Sequence, residues 1–281
     1  MKFRKVAVII VSLLVVLAAV SSCLTSRMSD AEMNQYFVGN RVPKRQFYEV
    51  NSRPMHYVSV GDSTLPPVLF VHGSPGSWDN FKSFLKDTFL LNHCRLLAVD
   101  RPGFGYSEEG GAEDKLTAQA AALLPILRAQ NKPVVLVGHS YGGPVIVKMA
   151  IDYPQYVKGL VIVAGSVDPD LEPSNWYRYF LHYPPLCWII PPFLRSSNDE
   201  QLPLREELEK MAAEWSKIRC SVVIVQGKKD MLVPADNAKF AAQKLKHVRV
   251  TTIWKEDMNH FVPWSDPDLI VEGIARLLRE Y

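Results

Sequence analysis

Short apolar runs rich in β-branched residues alternate with longer amphipathic segments along most of the chain. Runs that are apolar on both faces are typical of strands in a parallel sheet, and longer segments of period 3.6 are typical of helices. This alternation predicts an α/β fold with helices on both faces. The predicted strands are Val68–Val71, Leu96–Val99, Val134–Val137, Leu160–Val163, Val222–Val225 and Arg249–Trp254, after a hairpin of Phe47–Val50 and Met55–Val60. The predicted helices are Trp78–Leu90, Ala118–Gln130, Tyr141–Asp152, Ala235–Leu245 and Asp268–Arg279.

One stretch interrupts this alternation. The 58 residues 164–221 separate the strand Leu160–Val163 from the strand Val222–Val225, far more than a crossover helix needs. We interpret residues of about 168–215 as a cap over the carboxyl edge of the sheet. This segment is rich in aromatic residues, and the alternative interpretation of each is that it only helps to form a small core within the cap itself. The segment Asp168–Pro203 holds Trp176, Tyr177, Tyr179, Phe180, Tyr183, Trp188 and Phe193, together with the helix-breaking pairs Pro184-Pro185 and Pro191-Pro192.

A candidate nucleophile lies in a glycine-rich turn. The strand Val134–Val137 runs into Gly138–Gly143, which reads Gly-His-Ser-Tyr-Gly-Gly, and a helical segment follows. The pattern G-x-S-x-G between a strand and a helix is the nucleophile elbow, where small residues permit a tight turn. Ser140 would stand at a helix N-terminus, where the helix dipole favours negative charge. The alternative is a glycine-rich turn with an inert serine.

A serine nucleophile needs a base that is oriented by an acid. In folds that carry a nucleophile elbow between a strand and a helix, the three residues follow one another along the chain in the order serine, acid, histidine. Asp230 follows the strand Val222–Val225, and His260 follows the strand Arg249–Trp254, both in loops at the strands' carboxyl ends. These two are the predicted acid and base, and Asp168 is the rival acid. Less well placed are the acids Asp199, Asp236 and Asp257, and no matching position is held by His56, His93, His182 or His247.

The oxyanion of a tetrahedral intermediate needs two backbone N–H donors. Tyr141, directly after the nucleophile, is predicted to supply one. The loop His72–Gly76 after the strand Val68–Val71 is predicted to supply the other from Ser74, because Pro75 has no N–H. In the same region, His72 is predicted to brace the loop, and His139 is predicted to be a packing residue.

These motifs occur in a family-specific order. A shaped loop, Asp100–Ser107, follows the next strand and contains two glycines and a proline. With the elbow, the His72–Gly76 loop and the segment Gly227–Asp230, the chain resembles the α/β-hydrolase superfamily from about Phe47 to Tyr281. The resemblance implies an eight-stranded, mostly parallel sheet with a cap after the sixth strand, a small-molecule ester or acyl substrate, and no cofactor.

The resemblance also narrows the chemistry. Relatives that open epoxides or remove halide carry Asp at the elbow, and Ser140 stands there in this chain. Relatives similar to proline iminopeptidase usually have an extra Gly in the first oxyanion loop and Trp after the nucleophile, where this chain has Ser74 and Tyr141. The leading interpretation is a serine hydrolase of carboxylic esters, similar to carboxylesterases and lipases. The alternatives are an iminopeptidase-like or other amide hydrolase, and a binding lipoprotein without catalysis.

The N-terminus has the composition of a targeting segment. Lys2, Arg4 and Lys5 precede an apolar run, Val6–Val20, that is interrupted only by Ser12. The next residues, Val20-Ser21-Ser22-Cys23, resemble the bacterial lipoprotein box, in which lipid is attached to the Cys. We therefore predict a signal peptide over residues 1–22, lipidation of Cys23 and a membrane anchor made of acyl chains.

The remaining boundaries and the location follow from this interpretation. Residues 23–45 are predicted to be a tether, and residues 46–281 the hydrolase domain. Because Leu24 rather than Asp follows the Cys, the resemblance implies sorting to the outer membrane, facing the periplasm. The alternative is a single-pass membrane anchor formed by Val6–Leu24, which is about long enough to span a bilayer.

Charge and cysteine content exclude two classes of function. The formal net charge is +3, from 32 Lys+Arg and 29 Asp+Glu, but residues 1–22 hold three of the positive charges and no acid, which leaves 29 against 29 in the rest. A nucleic-acid binder needs a basic excess on its folded part, so none is predicted. Without Cys23 the odd number of remaining cysteines, Cys94, Cys187 and Cys220, leaves at least one unpaired, and no metal-binding spacing is present.

Overall fold

An eight-stranded, mostly parallel sheet organises the protein. The computed structural model describes residues 17, 19, 27–174 and 176–279. The strands are β1 (Lys44–Val50), β2 (Arg53–Val60), β3 (Pro67–Val71), β4 (Arg95–Asp100), β5 (Val134–His139), β6 (Val157–Val163), β7 (Ser221–Gly227) and β8 (Val250–Lys255). Their order is β1-β2-β4-β3-β5-β6-β7-β8; β2 pairs antiparallel with β1 and β4, and all other pairs are parallel. The predicted α/β class, hairpin and strands are confirmed.

Helices cover both faces of this sheet. Alternate strand residues point to opposite faces, so Leu69 and Val71 enter one apolar cluster while Val68 and Phe70 enter the other. The helices are α1 (Asp30–Tyr36), α2 (Thr88–His93), α3 (Leu116–Arg128), α4 (Gly142–Asp152), α5 (Tyr177–His182), α6 (Pro192–Gln201), α7 (Leu204–Ala212), α8 (Asp236–Lys244), α9 (Val262–Ser265) and α10 (Pro267–Leu278). The first cluster includes residues of α3, α4, α7 and α8, and the second includes residues of α1, α2 and α10.

The predicted helix Trp78–Leu90 is wrong. The chain forms two short 3₁₀ turns, Trp78–Phe81 and Phe84–Lys86, before α2 begins. Trp78, Phe81 and Phe84 are all buried. Their spacing is three residues, which places side chains in line on a 3₁₀ turn but not on an α-helix.

The segment predicted as a tether, residues 23–45, is partly folded onto the body. Met28, Met33 and Phe37 are buried in the second apolar cluster, and Met33 lies on α1. Arg45 forms an ion pair with Asp30 at 2.6 Å. The pattern of apolar residues in this stretch is too sparse to predict that packing, and the sequence prediction missed it.

The predicted lipidation site, Cys23, lies outside the described residues, as does most of the predicted signal peptide. Within the described residues, no helix combines the length and the apolar character needed to cross a membrane.

The segment between β6 and β7, where the sequence predicts a cap, is built of short helices and turns, and we call it the cap below. It contains α5, α6 and α7 together with 3₁₀ turns at Pro169–Leu171, Leu186–Ile189 and Trp215–Lys217. Leu204, Leu208 and Met211 of α7 are buried in the first apolar cluster and attach the cap to the body. Most of the cap aromatics do not form an internal core, because six of them are exposed: Trp176, Tyr177, Tyr179, Phe180, Tyr183 and Trp188.

One buried carboxylate shapes the loop after β4. Asp100 Oδ1 accepts the N–H of Trp78 at 2.8 Å, and Asp100 Oδ2 accepts the N–H of Tyr106 at 2.9 Å. The ring nitrogen Nδ1 of His56 lies 2.8 Å from the same Oδ2. Gly105 has a φ of +55°, and a Cβ there would collide with the Asp100 carboxylate. The loop therefore closes around Asp100 only because residue 105 has no side chain.

Substituting Gly105→Ala is expected to destabilise the protein more than substituting Gly39→Ala, which serves as the matched control. Both glycines have positive φ, but a Cβ at Gly39 would have nothing within 4 Å. The control should lose about 1–2 kcal/mol of unfolding free energy from backbone strain alone. Gly105→Ala should lose about 1–3 kcal/mol more because of the collision. Urea denaturation measures both, and equal losses would contradict the role given to Asp100.

Candidate active site

Ser140 lies in a strained turn between β5 and α4. Its φ is +54°, a left-handed conformation that is uncommon for residues other than glycine. The Ser140 N–H donates to the carbonyl of Val163 at 3.0 Å. A Cβ at Gly138 would collide with the Gly142 carbonyl, and one at Gly142 would collide with the Val71 carbonyl. Both small residues of the G-x-S-x-G pattern are therefore required by the close approach of backbone.

The predicted acid and the predicted base meet beside this turn. Nδ1 of His260 lies 2.8 Å from Oδ2 of Asp230, and both residues are buried. The other carboxylate oxygen, Oδ1, accepts the N–H groups of Leu232 at 2.9 Å and Val233 at 2.8 Å. A carboxylate held by two backbone donors cannot rotate freely, so it fixes the plane of the imidazole. With Nδ1 engaged, Nε2 is the nitrogen left for proton transfer.

The loops that carry Asp230 and His260 are joined to each other. They leave the neighbouring strands β7 and β8 at the same edge. The N–H of Lys228 donates to the carbonyl of Lys255 at 3.0 Å, and the N–H of Lys229 donates to the carbonyl of Met258 at 3.1 Å. Gly227 permits this contact, because a Cβ there would collide with the Met258 carbonyl. The acid and the base are thus held in one backbone unit.

The rival acid, Asp168, has a different position. Its carboxylate accepts the N–H of Asp170 at 3.0 Å and caps the 3₁₀ turn at the start of the cap. Its own N–H donates to Oδ1 of Asn237 at 2.9 Å. Of the other acids, Asp199 pairs with His182 and Asp236 pairs with Lys239. The geometry therefore brings Asp230, and not Asp168, to His260.

His139 lies directly behind the base. Its Nε2 is 3.0 Å from the carbonyl oxygen of His260, and the two ring centroids are 4.8 Å apart. Trp264 packs edge-on against the His139 ring. Burial, and after it the nearby His260, lowers the pKa of His139 to about 3. The ring is therefore uncharged at neutral pH and supports His260 without competing for its proton.

The residues predicted for the oxyanion site share one cavity with the nucleophile and the base. Ser74, Tyr141, Ser140 and His260 all line a cavity of about 380 Å³. Gly73 approaches Ser140 so closely that a Cβ on it would lie 2.9 Å from the serine Cβ. The rest of the lining is mixed: Pro75, Pro173, Tyr177, Leu204, Met231, Leu232 and Val233 are apolar or aromatic, and Ser166, Glu172, Arg178, Ser197 and Gln201 are polar.

His72 braces the first oxyanion loop, as its position predicts. Its Nδ1 lies 2.7 Å from the Gly73 carbonyl oxygen, and its Nε2 accepts the backbone N–H of Arg101 at 3.0 Å. The proton is therefore on Nδ1. Burial and the adjacent Arg101 charge lower the pKa of His72 well below its ordinary value, which keeps the ring neutral.

Two charged residues that contact Tyr141 of the cavity lining were not predicted from the sequence. Arg101 and Glu200 form a buried ion pair, with both side chains 0% exposed and the shortest N–O distance 2.6 Å. Arg101 lies in the loop Asp100–Ser107, whose two glycines and one proline indicate a fixed shape. That composition was the available signal for a structural role of Arg101. Its partner lies 99 residues later on α6 of the cap, where a lone Glu resembles any solvated helix residue.

In the part of the chain that the structure describes, no cluster of three or more His, Cys, Asp or Glu side chains could hold a metal ion. Cys94 and Cys220 are unpaired, and burial raises the pKa of each thiol to about 12. Such thiols are unreactive, in agreement with a packing role.

Known proteins share this fold. The family model described as the alpha/beta hydrolase fold matches residues 66–188, which include the His72–Gly76 loop and the elbow. The chain has the α/β-hydrolase fold. A solved structure of a membrane phospholipase A superimposes with a TM-score of 0.67 at 17% identity, covering 100% of this chain and 99% of that one. At that identity the likeness shows the hydrolase fold alone.

Two curated relatives are informative for different reasons. An sn-1-specific diacylglycerol lipase of Mus musculus is 33% identical over 130 residues, which is 45% of this chain and 42% of the lipase. The match thus spans less than half the length of that relative. The proline iminopeptidase PfmaB of Pestalotiopsis fici is 21% identical over 281 residues, which is 84% of this chain and 99% of that protein. Both are hydrolases by name.

Substituting Asp230→Asn is expected to slow the reaction of Ser140 with a fluorophosphonate probe by about 10³- to 10⁴-fold, because the amide no longer holds His260 in the required tautomer. Asp168→Asn is the matched control, since it makes the same chemical change in an acid that has no bond to His260. It should reduce the labelling rate only slightly. The rates are read from gel fluorescence over time, and the reverse order of effects would assign the acid to Asp168.

Proposed function

We propose that the protein is a serine hydrolase that cleaves carboxylic esters through an acyl-enzyme intermediate. The observation that carries the proposal is the 2.8 Å contact between Asp230 and His260 at the cavity that the strained Ser140 also lines. These are the three groups of a serine, histidine and acid triad, in the chain order of this fold.

The reaction begins with attack of Ser140 Oγ on the acyl carbon. His260 Nε2 takes the hydroxyl proton, and Asp230 stabilises the imidazolium through Nδ1. The backbone N–H groups of Ser74 and Tyr141 hold the oxyanion. Collapse of the tetrahedral intermediate breaks the ester C–O bond, and His260 gives its proton to the departing alkoxide. An alcohol leaves, and the acyl group remains on Ser140.

Water completes the cycle. His260 removes a proton from a water molecule, whose oxygen attacks the acyl-enzyme carbonyl and forms a second tetrahedral intermediate. The bond to Ser140 Oγ then breaks, and His260 returns the proton to the serine. The products are a carboxylic acid and an alcohol, and no cofactor enters the balance.

Apolar lining favours an acyl chain as the group that the cavity binds. Tyr177, Met231 and Leu232 lie at the cavity and are exposed to solvent, so apolar surface continues from the interior to the rim. The partial match to a diacylglycerol lipase adds glyceride esters to the substrates worth testing.

An amide hydrolase is the second candidate, because an acidic group lies in the cavity. Glu172 lines it and bonds to Ser166, and a free substrate amine would need such a carboxylate. The relative named as a proline iminopeptidase spans 84% of the chain. Burial raises the pKa of Glu172, and Arg178 lies in the same cavity, so both features weaken the binding of a cation. Comparing p-nitrophenyl esters of increasing chain length with proline p-nitroanilide separates the two candidates.

Substituting Ser140→Ala is expected to abolish fluorophosphonate labelling and to lower ester turnover by about 10⁶-fold, since triad residues act as a unit. Folding should be unchanged, because the side chain lines a cavity and supports no core. Labelling is followed by mass spectrometry of the modified peptide, with a thermal melt as the control for folding. A variant that still hydrolyses the ester at the wild-type rate would refute the mechanism. A wild-type protein that never labels would favour a binding function.

We also propose that the protein is a lipid-anchored lipoprotein of the bacterial cell envelope, located at the outer membrane and facing the periplasm. The support is the sequence Val20-Ser21-Ser22-Cys23 after a basic start and an apolar run. The remainder of the chain is charge-neutral, so no basic excess would hold it to anionic lipid without acyl chains. A single-pass anchor formed by Val6–Leu24 is the alternative.

Substituting Cys23→Ala is expected to prevent lipidation and cleavage before residue 23. Mass spectrometry of the membrane-extracted wild-type protein should find an acylated Cys23 at the N-terminus. A truncated chain beginning at Arg27 should remain in the aqueous phase and keep its activity, because it retains the packed residues Met28, Met33 and Phe37. An intact Met1, or a free Cys23 thiol in membrane-bound protein, would establish the single-pass anchor instead.

A further inference from the structure

The cap contacts the oxyanion side of the site through a fully engaged guanidinium. Arg101 Nε donates to the carbonyl of His72 at 2.9 Å, and Nη2 donates to the carbonyl of Gly73 at 2.9 Å. Glu200 accepts from Nη1 at 2.6 Å and from Nη2 at 2.8 Å, and Gln119 Oε1 accepts the remaining N–H of Nη1 at 2.8 Å. All five donors of this planar group are used, so its orientation has a single solution.

This arrangement is not explained by stability alone. Arg101 and Glu200 are both removed from water, and a buried ion pair is often no more stable than apolar residues of the same volume. What the pair supplies is geometry, because a bidentate contact fixes the guanidinium relative to α6. The position of the cap helix thereby fixes the position of the guanidinium.

The guanidinium in turn fixes one peptide group. The Gly73 carbonyl accepts from Arg101 Nη2 and from His72 Nδ1. The peptide between Gly73 and Ser74 is trans, and in a planar trans peptide the C=O and the following N–H point in opposite directions. The N–H of Ser74 therefore points away from Arg101. Because Ser74 and Ser140 line the same cavity, we infer that this N–H is directed to the cavity side.

Residues of α6 at and near Glu200 also contact the side chains of Ser74 and Tyr141, the two predicted oxyanion residues. The Tyr141 hydroxyl donates to the main-chain carbonyl of Glu200 at 3.2 Å. Ser74 Oγ donates to Ser197 Oγ at 2.8 Å and accepts from Gln201 Nε2 at 3.2 Å. Three residues of α6, Ser197, Glu200 and Gln201, thus contact the side chains of both predicted oxyanion residues.

We propose that Glu200 is a positioning residue for the oxyanion site, and that the cap, through it, aims the two backbone donors at the reacting carbonyl. Glu200 orients Arg101, which holds the Gly73 carbonyl and so directs the Ser74 N–H, while the Glu200 carbonyl holds Tyr141. The inference rests on the proposed serine hydrolase function. It adds a consequence: displacement of α6 weakens oxyanion stabilisation and leaves the Asp230–His260 pair in place.

The test compares Glu200→Gln with Asp199→Asn in the full-length protein. The second substitution removes the same charge from the adjacent residue of α6, where the carboxylate pairs with His182 and not with Arg101. Glu200→Gln should lower kcat for a p-nitrophenyl ester by about 10- to 100-fold, with KM changed less than about threefold, because a misdirected donor costs transition-state stabilisation. Its inhibition by a trifluoromethyl ketone, which forms an oxyanion on Ser140, should weaken by the same factor. Asp199→Asn should match the wild type in all three quantities.

The Arg101→Lys variant extends the test, since an ammonium group cannot make the same forked contact. Its loss and that of Glu200→Gln should not add in the double variant, because both act through one contact. A folded Glu200→Gln protein with wild-type kcat and ketone affinity would overturn the inference, as would a fall in kcat without weaker ketone binding.

Two outcomes remain to be separated. Where Glu200→Gln fails to fold, Tyr141→Phe tests the other contact with Glu200: it removes only the hydroxyl and should lower kcat and ketone affinity together, and wild-type values would overturn the inference. A wild-type protein that fluorophosphonate does not label would refute the proposed function and this inference with it. A labelled wild type with an unaffected Glu200→Gln variant would refute the inference alone.

Discussion

The left-handed backbone of Ser140 is the constraint around which the site is arranged. A non-glycine residue in that conformation carries about 1–3 kcal/mol of strain, so the surrounding structure must hold it. Three elements do so. The Val71 carbonyl of β3 lies close to Gly142, the Val163 carbonyl of β6 accepts the Ser140 N–H, and α4 begins at Gly142. Together, β3, β6 and α4 allow Ser140 a single position. That position is at the carboxyl edge of the sheet, where the loops that carry Asp230 and His260 also lie.

The groups around Ser140 are attached to two different parts of the protein. Asp230 and His260, the predicted acid and base, lie in loops that follow adjacent strands, and these loops share backbone hydrogen bonds. The oxyanion loop is braced instead by Arg101, whose partner Glu200 lies on the cap. In the proposed mechanism, proton transfer would therefore depend on the sheet, whereas oxyanion stabilisation would depend on the cap as well. Under this proposal, a substrate that fixes the position of the cap would influence oxyanion stabilisation and would not influence proton transfer.

The sequence predicted the features that depend on neighbours along the chain. The elbow is readable because Gly138, Ser140 and Gly142 satisfy a local steric demand, and the strand order then directs attention to the loops that carry Asp230 and His260. The predicted fold class needed only the alternation of apolar runs. The roles given to these residues remain predictions, but their placement at one edge of the sheet follows from the topology.

Other features depend on contacts that no local pattern encodes. The predicted helix Trp78–Leu90 was wrong because the buried residues Trp78, Phe81 and Phe84 follow one another every three residues, a spacing that suits 3₁₀ turns. The buried position of Glu200 is set by Arg101, 99 residues earlier in the chain, so its charge gave no sign of burial. The packing of Met33 and Phe37 was missed because two apolar side chains in a polar stretch are a weak signal.

The position of α10 in the fold has a consequence for the stage of protein synthesis at which the site becomes complete. Gly273 of this last helix lies against Val161 of β6 and Val223 of β7, and Leu277 lies against Gly159, so the C-terminal residues complete the support of the central strands. Asp230 and His260 also belong to the last fifth of the chain. The ribosome delivers the N-terminal part first. In the proposed mechanism, with His260 as the base, a nascent chain carries the nucleophile before the residues that would activate it, so hydrolysis would begin only after Asp230 and His260 have been synthesised and folded into place.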